Sequence, residues 1–336
     1  MHRISKALLG VVVLATLAIP GIALAHGSHN DGSNGNTGSK PSYDHVFVIV
    51  EENTAASEII GDPNAPTFNQ LAQDYGLATH YYGVTHPSEP NYVAMIGGSY
   101  YGIQDDAFYT DLGHQIDSPS LVNQLEGAGL TWKGYFQTMP SPGFEGKCFP
   151  TTTNCLYASK HNPFMNFTHV STSNAEKANL VPDTQLMADL TTGDVPNFSY
   201  IIPDQCHDIH GQPACPDKAT NIKVGDEYLA TVVTAIQNSK VWQQGHNAIV
   251  VTFDEDDFNP ANLGCCDANP GGGPVYTVVV TNHQQKPIQD PTPYNHYSLL
   301  ASVENAFGLG CLQATCDTAD VKPMDPLFGI HPTPNK

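Results

Sequence analysis

The sequence predicts an α/β domain: a mainly parallel central sheet, helices on both of its faces, and one irregular insertion stapled by a disulfide. Three observations carry that expectation. Compact apolar runs rich in β-branched residues alternate with segments of helical spacing along most of the chain. The runs are continuously apolar, as strands buried on both faces are. Beyond the first 40 residues, roughly 300 remain, enough for one large domain or one domain with insertions.

The chain opens on His2, Arg3 and Lys6, followed by "ALLGVVVLATLAIPGIALA" with Ala23-Leu24-Ala25 at its end. A basic start, a short apolar stretch and an A-x-A close describe a cleaved secretory signal over residues 1–25. A membrane anchor is the rival reading; the run is short for one and Pro20 interrupts it. Residues 26–40, "HGSHNDGSNGNTGSK", offer almost nothing to bury and read as a flexible linker, which leaves 41–336 as the folded domain.

Within that domain "HVFVIV" (45–50) is a buried strand, and "TFNQLAQDY" (67–75) a helix stopped by Gly76. "SLVNQLEGAG" (120–129) is helical and "TWKGYFQ" (131–137) a strand. Residues 140–175, rich in Pro, Thr, Asn and Phe and holding two cysteines, are the irregular insertion. "DTQLMADL" (183–190) is a helix, "NFSYII" (197–202) a strand, "GDEYLATVVTAIQNS" (225–239) a helix. "NAIVVTF" (247–253) and "VYTVVVT" (275–281) are strands, and "YSLLASVENAFG" (297–308) closes as a helix.

The formal charge is -20, from 13 basic and 33 acidic residues; losing Arg3 and Lys6 with the leader leaves 11 against 33, or -22. Such a surface is not drawn to nucleic acid or to anionic membrane. No later segment is long and apolar enough to anchor the chain in a bilayer, and no protein partner is predicted. All eight cysteines lie after the leader. Cys148 with Cys155, Cys206 with Cys215 and Cys311 with Cys316 are close in sequence, and Cys265 and Cys266 are adjacent. An even count in an exported chain favours disulfides, with local pairing preferred, although spacing alone does not fix connectivity. A zinc site finds no C-x-x-C spacing to support it.

In an open α/β sheet, ligands bind beyond the carboxyl ends of the strands. There the chain places Glu51, Glu52 and Asn53 after 45–50, and "PDQCHDIHG" with Asp204, His207, Asp208 and His210 after 197–202. Asp254, Glu255, Asp256 and Asp257 follow 247–253, and Asn295 and His296 precede the last helix. Gathered carboxylates resist ionisation unless a cation neutralises them. An all-oxygen set suits a hard divalent metal such as Mg²⁺, Ca²⁺ or Mn²⁺. A solvated acidic loop is the bland alternative for "DEDD", and an EF-hand loop fits badly because Phe258 falls on a ligand position.

"THPSEPNYVAMIGGS" (85–99) holds Ser88 between Pro87 and Pro90 at the start of an apolar, helix-like run. A helix N-terminus favours an anion. An ordinary helix cap is the plain alternative. Beside a metal, the hydroxyl becomes a candidate nucleophile and Asn91 a donor to a phosphoryl oxygen. The G-x-S-x-G elbow of serine hydrolases is absent.

"EEN", "HPSEPNY", "KHNPF", "PDQCHDIHG", "TFDEDD" and "NHYSLL", in that order from about Asp44 to about Gly310, resemble the secreted phosphoesterase family of acid phosphatases and non-specific phospholipases C, a branch of the alkaline-phosphatase superfamily. The resemblance implies an alkaline-phosphatase-like fold. It implies that Glu52 and Asn53 bind metal and phosphate, that Ser88 is the nucleophile and touches the metal, and that Asp254 and Glu255 complete the metal shell. It places His210 and His296 around the phosphate, with His161 and His86 as further site histidines and Asn91 as the amide of the nucleophile loop. The chain lacks room for the carboxy-terminal domains of the large phospholipases C, and "NTAASEIIG" follows Glu52 where that branch carries an aromatic run.

The expected function is therefore a secreted, metal-dependent acid phosphatase acting on a small phosphate ester through a phosphoserine. The alternatives are a phospholipase C on phosphatidylcholine-like lipids and a non-catalytic exported metal-binding protein. Asn166 and Asn197 open N-x-[ST] patterns.

Overall fold

Strand His45–Glu51 lies in the middle of an eight-stranded sheet, flanked by Asn247–Phe253 and Phe198–Ile202. The computed structural model describes residues 42–258, 261, 263–283 and 286–330; the signal and linker expected over 1–40 lie outside the described residues. From one edge the sheet runs Ile288–Asp290, Gly76–Ala78, Thr277–Thr281, Asn247–Phe253, His45–Glu51, Phe198–Ile202, Trp132–Phe136 and Leu180–Pro182. Neighbours are parallel, except that Thr277–Thr281 runs against both of its own. The expected sheet is the observed one.

Alternation along the central strands decides which side chains reach which face. Tyr200 and Val250 are both register partners of Val48, and the Tyr200 hydroxyl meets Met95 Sδ at 3.3 Å, so this face is covered by helix Ser88–Gly97. That helix packs in turn on His296–Phe307. Glu51 and Phe253 pair on the opposite face. There the Phe253 ring meets Phe68 at 5.7 Å, under helices Pro66–Asp74 and Lys218–Asn238. Burial of the apolar runs against these two helix layers supplies the driving force.

Three local outcomes differ from the expectation. The helix expected from 225 begins at Lys218, because the Asp217 side chain accepts the Thr220 amide and caps it seven residues earlier. The strand expected from 275 is regular only over Thr277–Thr281. The insertion is less irregular than its composition: strands Cys148–Thr151 and Asn154–Ala158 form a hairpin, and short helical turns follow over Ser159–His161, Pro163–Asn166 and Thr168–Ser171.

Every cysteine pairs locally: Cys148 with Cys155, Cys206 with Cys215, Cys265 with Cys266, Cys311 with Cys316. Among the described residues no helix is long and apolar enough to cross a membrane.

Candidate active site

The dipeptide Glu51-Glu52 shows how the fold builds the site. Strand alternation sends Glu51 to the face under Lys218–Asn238, and Glu52, one residue on, to the face that carries Ser88. Glu52 is fully buried and its Oε2 accepts the Ser88 hydroxyl at 3.0 Å. From the neighbouring strand end, Glu255 Oε1 lies 3.2 Å from the same hydroxyl. Ser88 is the first residue of its helix and only 1% exposed. The helix stops at Gly98, in the left-handed region at φ 69°, where an added Cβ would sit 2.3 Å from the Leu312 carbonyl.

Asn53 turns the chain after Glu52 at φ 42°, a conformation Asn tolerates better than most residues. Its amide donates to Asp254 Oδ1 at 3.1 Å, tying the two strand ends together. Two buried oxygens then have no hydrogen-bond partner, Asn53 Oδ1 and Asp254 Oδ2. Orphaned buried oxygens are costly, and beside two further carboxylates they fit a bound cation.

The histidines divide by what their ring nitrogens touch. His161 Nε2 lies 2.8 Å from Glu52 Oε1, and its ring stacks on Tyr92 at 5.1 Å. His86 Nδ1 lies 2.5 Å from Glu255 Oε2, and its ring stacks on Phe258 at 4.4 Å. His210 bonds the Gly211 carbonyl through Nδ1, which leaves Nε2 facing the site 4.0 Å from Glu52 Oε2.

Two residues are placed otherwise than expected. His296 is fully buried, with Nδ1 against the Tyr81 hydroxyl at 3.1 Å and Nε2 against the Asp254 carbonyl at 2.5 Å. Both nitrogens are occupied by the protein, so the ring holds Asp254 instead of facing a phosphate. Asn91 Oδ1 accepts the amides of Val84 and Thr85, and Nδ2 donates to the carbonyls of Thr85 and Pro87. Its amide is spent on shaping the segment that presents Ser88. Asn166, also buried, donates to Glu89 and is closed to a sugar.

Lys160 is the residue that sequence reasoning missed. Its Nζ lies 3.2 Å from Ser88 Oγ and 3.1 Å from Asp106 Oδ2. The signal was at hand in "KHNPF", where only the histidine was read.

Electrostatics follow from burial and sign. Burial alone would raise the Glu52 pKa, but His161 and Lys160 outweigh it and hold the carboxylate well below its usual range. Burial first, then the charges of Glu52 and Glu255, push Asp254 far up. Burial, with help from Glu52 and against His86, lifts Glu255 to about 7. Asp208 is likewise raised, by burial and then by Glu52. Burial depresses His161, with Glu52 opposing, and takes His296 down to about 4. One carboxylate is charged at its neighbours' expense, as expected of carboxylates crowded together away from water. A second, more compact group lies elsewhere: the ligand atoms of Glu126, His169 and Glu176 are all within 4.8 Å of one another at the surface.

The model of the Phosphoesterase family matches residues 62–310. The chain belongs to that family. Membership makes it a phosphate-ester hydrolase and sets aside the non-catalytic alternative. The chain is 29% identical to a phosphatidylinositol-3-phosphatase of Mycobacterium tuberculosis, over 92% of this chain and 90% of the relative. It is 28% identical to a probable acid phosphatase of Kluyveromyces lactis over 78% of this chain, and 27% identical to an acid phosphatase of Aspergillus fumigatus over 81%. It spans only 58% and 56% of those two fungal proteins. Among solved structures, a protein of the alkaline phosphatase superfamily from Vibrio parahaemolyticus superposes with a TM-score of 0.53 at 11% identity, covering 80% of this chain and 67% of that one. A phosphonate monoester hydrolase from Silicibacter pomeroyi gives 0.52 at 13% identity over 87% and 78%. These share the fold.

Proposed function

We propose that this phosphoesterase is an exported, metal-dependent phosphatase that hydrolyses phosphate monoesters through a phosphoserine on Ser88. One observation carries the proposal: Ser88 Oγ, at a helix N-terminus, lies between Glu52 Oε2 at 3.0 Å and Glu255 Oε1 at 3.2 Å. Asn53 and Asp254, the chain neighbours of Glu52 and Glu255, carry buried oxygens without a hydrogen-bond partner. Glu52, Asn53, Ser88, Asp254 and Glu255 would hold a hard divalent ion such as Mg²⁺, Ca²⁺ or Mn²⁺, which when bound lowers the pKa of a coordinated hydroxyl and neutralises phosphoryl oxygens.

The chain's own residues do the rest. Ser88 attacks phosphorus in line with the departing alcohol. His210, part-exposed and with Nε2 free toward the site, donates a proton to that alcohol and takes one from the water that cleaves the phosphoserine. His86 and His161 hold Glu255 and Glu52 in place, Asn91 holds the nucleophile segment, and His296 holds Asp254. Export rests on the composition of residues 1–25, and a mature chain starting at His26 by mass spectrometry would support it.

A phosphorylated inositol headgroup is the second reading for the monoester. It is favoured by the Mycobacterium tuberculosis relative, which matches along nearly all of both chains.

Hydrolysis of p-nitrophenyl phosphate beside p-nitrophenylphosphorylcholine, by wild type and Ser88→Ala, tests the proposal. Preference for the monoester, lost in the variant, is expected. Faster turnover of the choline diester would make the chain a phospholipase C-type phosphodiesterase. Short-chain phosphatidylinositol 3-phosphate turned over no better than p-nitrophenyl phosphate would remove the inositol reading.

A further inference from the structure

Lys160 stands on the three-residue turn Ser159–His161, the same turn that sends His161 to Glu52. Its side chain is 16% exposed and its ammonium lies 3.2 Å from Ser88 Oγ. A second tie fixes it there. Asp106 Oδ2 accepts from Lys160 at 3.1 Å, while Asp106 Oδ1 accepts the Glu89 amide, one residue after the nucleophile, at 2.9 Å. One carboxylate thus holds the ammonium and the nucleophile's own backbone in a single frame. Around Ser88 Oγ the chain otherwise supplies negative charge, from Glu52 and Glu255. An oxygen that must become an alkoxide is poorly served by two carboxylates, and a fixed ammonium at hydrogen-bond distance adds positive charge of the chain's own to that of a cation held there.

We infer that Lys160 is a catalytic residue that stabilises negative charge on Ser88 Oγ in both halves of the reaction. The inference rests on the serine mechanism proposed above. In the first half the Oγ–P bond forms and the P–O bond to the alcohol breaks. The hydroxyl proton passes to a carboxylate oxygen it already touches, and the alcohol leaves with a proton from the acid. In the second half water attacks phosphorus, gives its proton to that same acid group, and the P–Oγ bond breaks. The electron pair returns to Oγ beside the ammonium, and the carboxylate gives the proton back. Lys160 donates no proton in either half. It touches the nucleophile, not the departing alcohol.

That geometry makes a distinctive prediction. Lys160→Met should lower kcat by about 10² to 10³. The factor should be the same on p-nitrophenyl phosphate, which has a good leaving group, and on glycerol phosphate, which has a poor one. KM should change by only a few-fold, and Lys160→Arg should recover part of the rate. Asp106→Asn, which frees the ammonium, should lower kcat less, again without dependence on the leaving group. A loss confined to glycerol phosphate would overturn the inference in favour of a role on the substrate's alcohol. A loss confined to KM would reduce Lys160 to substrate binding, and no loss in either Lys160 variant would remove it altogether. Thermal unfolding of each variant shows that the fold is kept; if Lys160→Met does not fold, the Arg and Asn variants carry the same test. Near-normal turnover by Ser88→Ala on the same substrates would bring down the serine mechanism itself, a result separate from all of these.

Discussion

Two clusters of acid and histidine in this molecule resolve the same repulsion in different ways. At the surface, Glu126 faces His169 at 2.8 Å, accepts the Trp132 indole N–H at 3.0 Å, and shares a hydrogen bond with Glu176. That bond, more than burial, lifts the Glu176 pKa to about 7, so a proton can sit between the two carboxylates. Water reaches the group, and the cost stays small. At the sheet end, Glu52, Asp254, Glu255 and Asp208 are shut off from water. There His161 and Lys160 hold the Glu52 pKa down, while burial and the Glu52 charge push those of Asp254 and Asp208 up. The surface cluster is the more compact. Burial and orphaned oxygens, not compactness, set the sheet-end group apart.

That contrast can be broken at several points. The largest effect belongs to Ser88→Ala, expected to cost about 10⁴ or more in kcat, as loss of a nucleophile does, with little change in thermal unfolding. Steady-state turnover of p-nitrophenyl phosphate reads it. Next comes the cation. Asp254→Ala should lose bound metal and activity together, while Glu126→Gln should keep the wild-type metal content, both measured on purified protein. If Glu126→Gln lost the metal instead, the surface group would be the cation site. Chelation should also lower the unfolding temperature of wild type, since an ion at about 100 times its Kd stabilises by about 2.7 kcal/mol.

A smaller effect concerns His296. Its folded pKa of about 4 lies below the unfolded value near 6.5, so the unfolded chain binds the extra proton first. Stability from this group is therefore full above about pH 6.5 and is lost as pH falls toward about 4. The loss is on the order of 3 kcal/mol. Unfolding of wild type and His296→Gln at pH 7 and pH 4.5 checks it, and an unchanged pH slope would deny the neutral, buried state. The smallest effect has the opposite sign. Glu176 is raised, so the folded state keeps a proton that the unfolded state gives up, and stability falls as pH rises from about 4.5 to about 7. Glu176→Gln should flatten only that slope, by well under 1 kcal/mol because the pair is part-exposed.

Much of the site's skeleton was legible because strand ends are legible. Apolar runs located His45–Glu51, Phe198–Ile202 and Asn247–Phe253, and whatever followed them had to meet at one edge. Local cysteine pairing was legible for a similar reason, short spacing. What could not be read was how each polar atom is used. Asn91 and His296 have the right chemistry for a phosphate, yet their hydrogen bonds go to Thr85, Pro87, Tyr81 and the Asp254 carbonyl. Nothing in residue type distinguishes an amide turned toward a ligand from one turned toward its own loop. Lys160 escaped for the converse reason: a lone lysine in a loop reads as solvent-facing, and only the turn Ser159–His161 makes it an inward charge.

The other half of the Glu51-Glu52 pair has its own consequence. Glu51 is fully buried beneath the helix on the far face, and neither of its carboxylate oxygens has a hydrogen-bond partner. Burial, reinforced by Asp226, keeps it protonated far above the usual carboxylate range. Alkaline conditions must therefore either force an uncompensated charge into the core or strip the proton by opening the fold. The scaffold thus carries an alkaline limit on one face of its sheet and, in His296, an acid limit on the other. The two titrations draw stability from the folded state in opposite directions, one as pH rises and the other as it falls, whatever range the chemistry would choose.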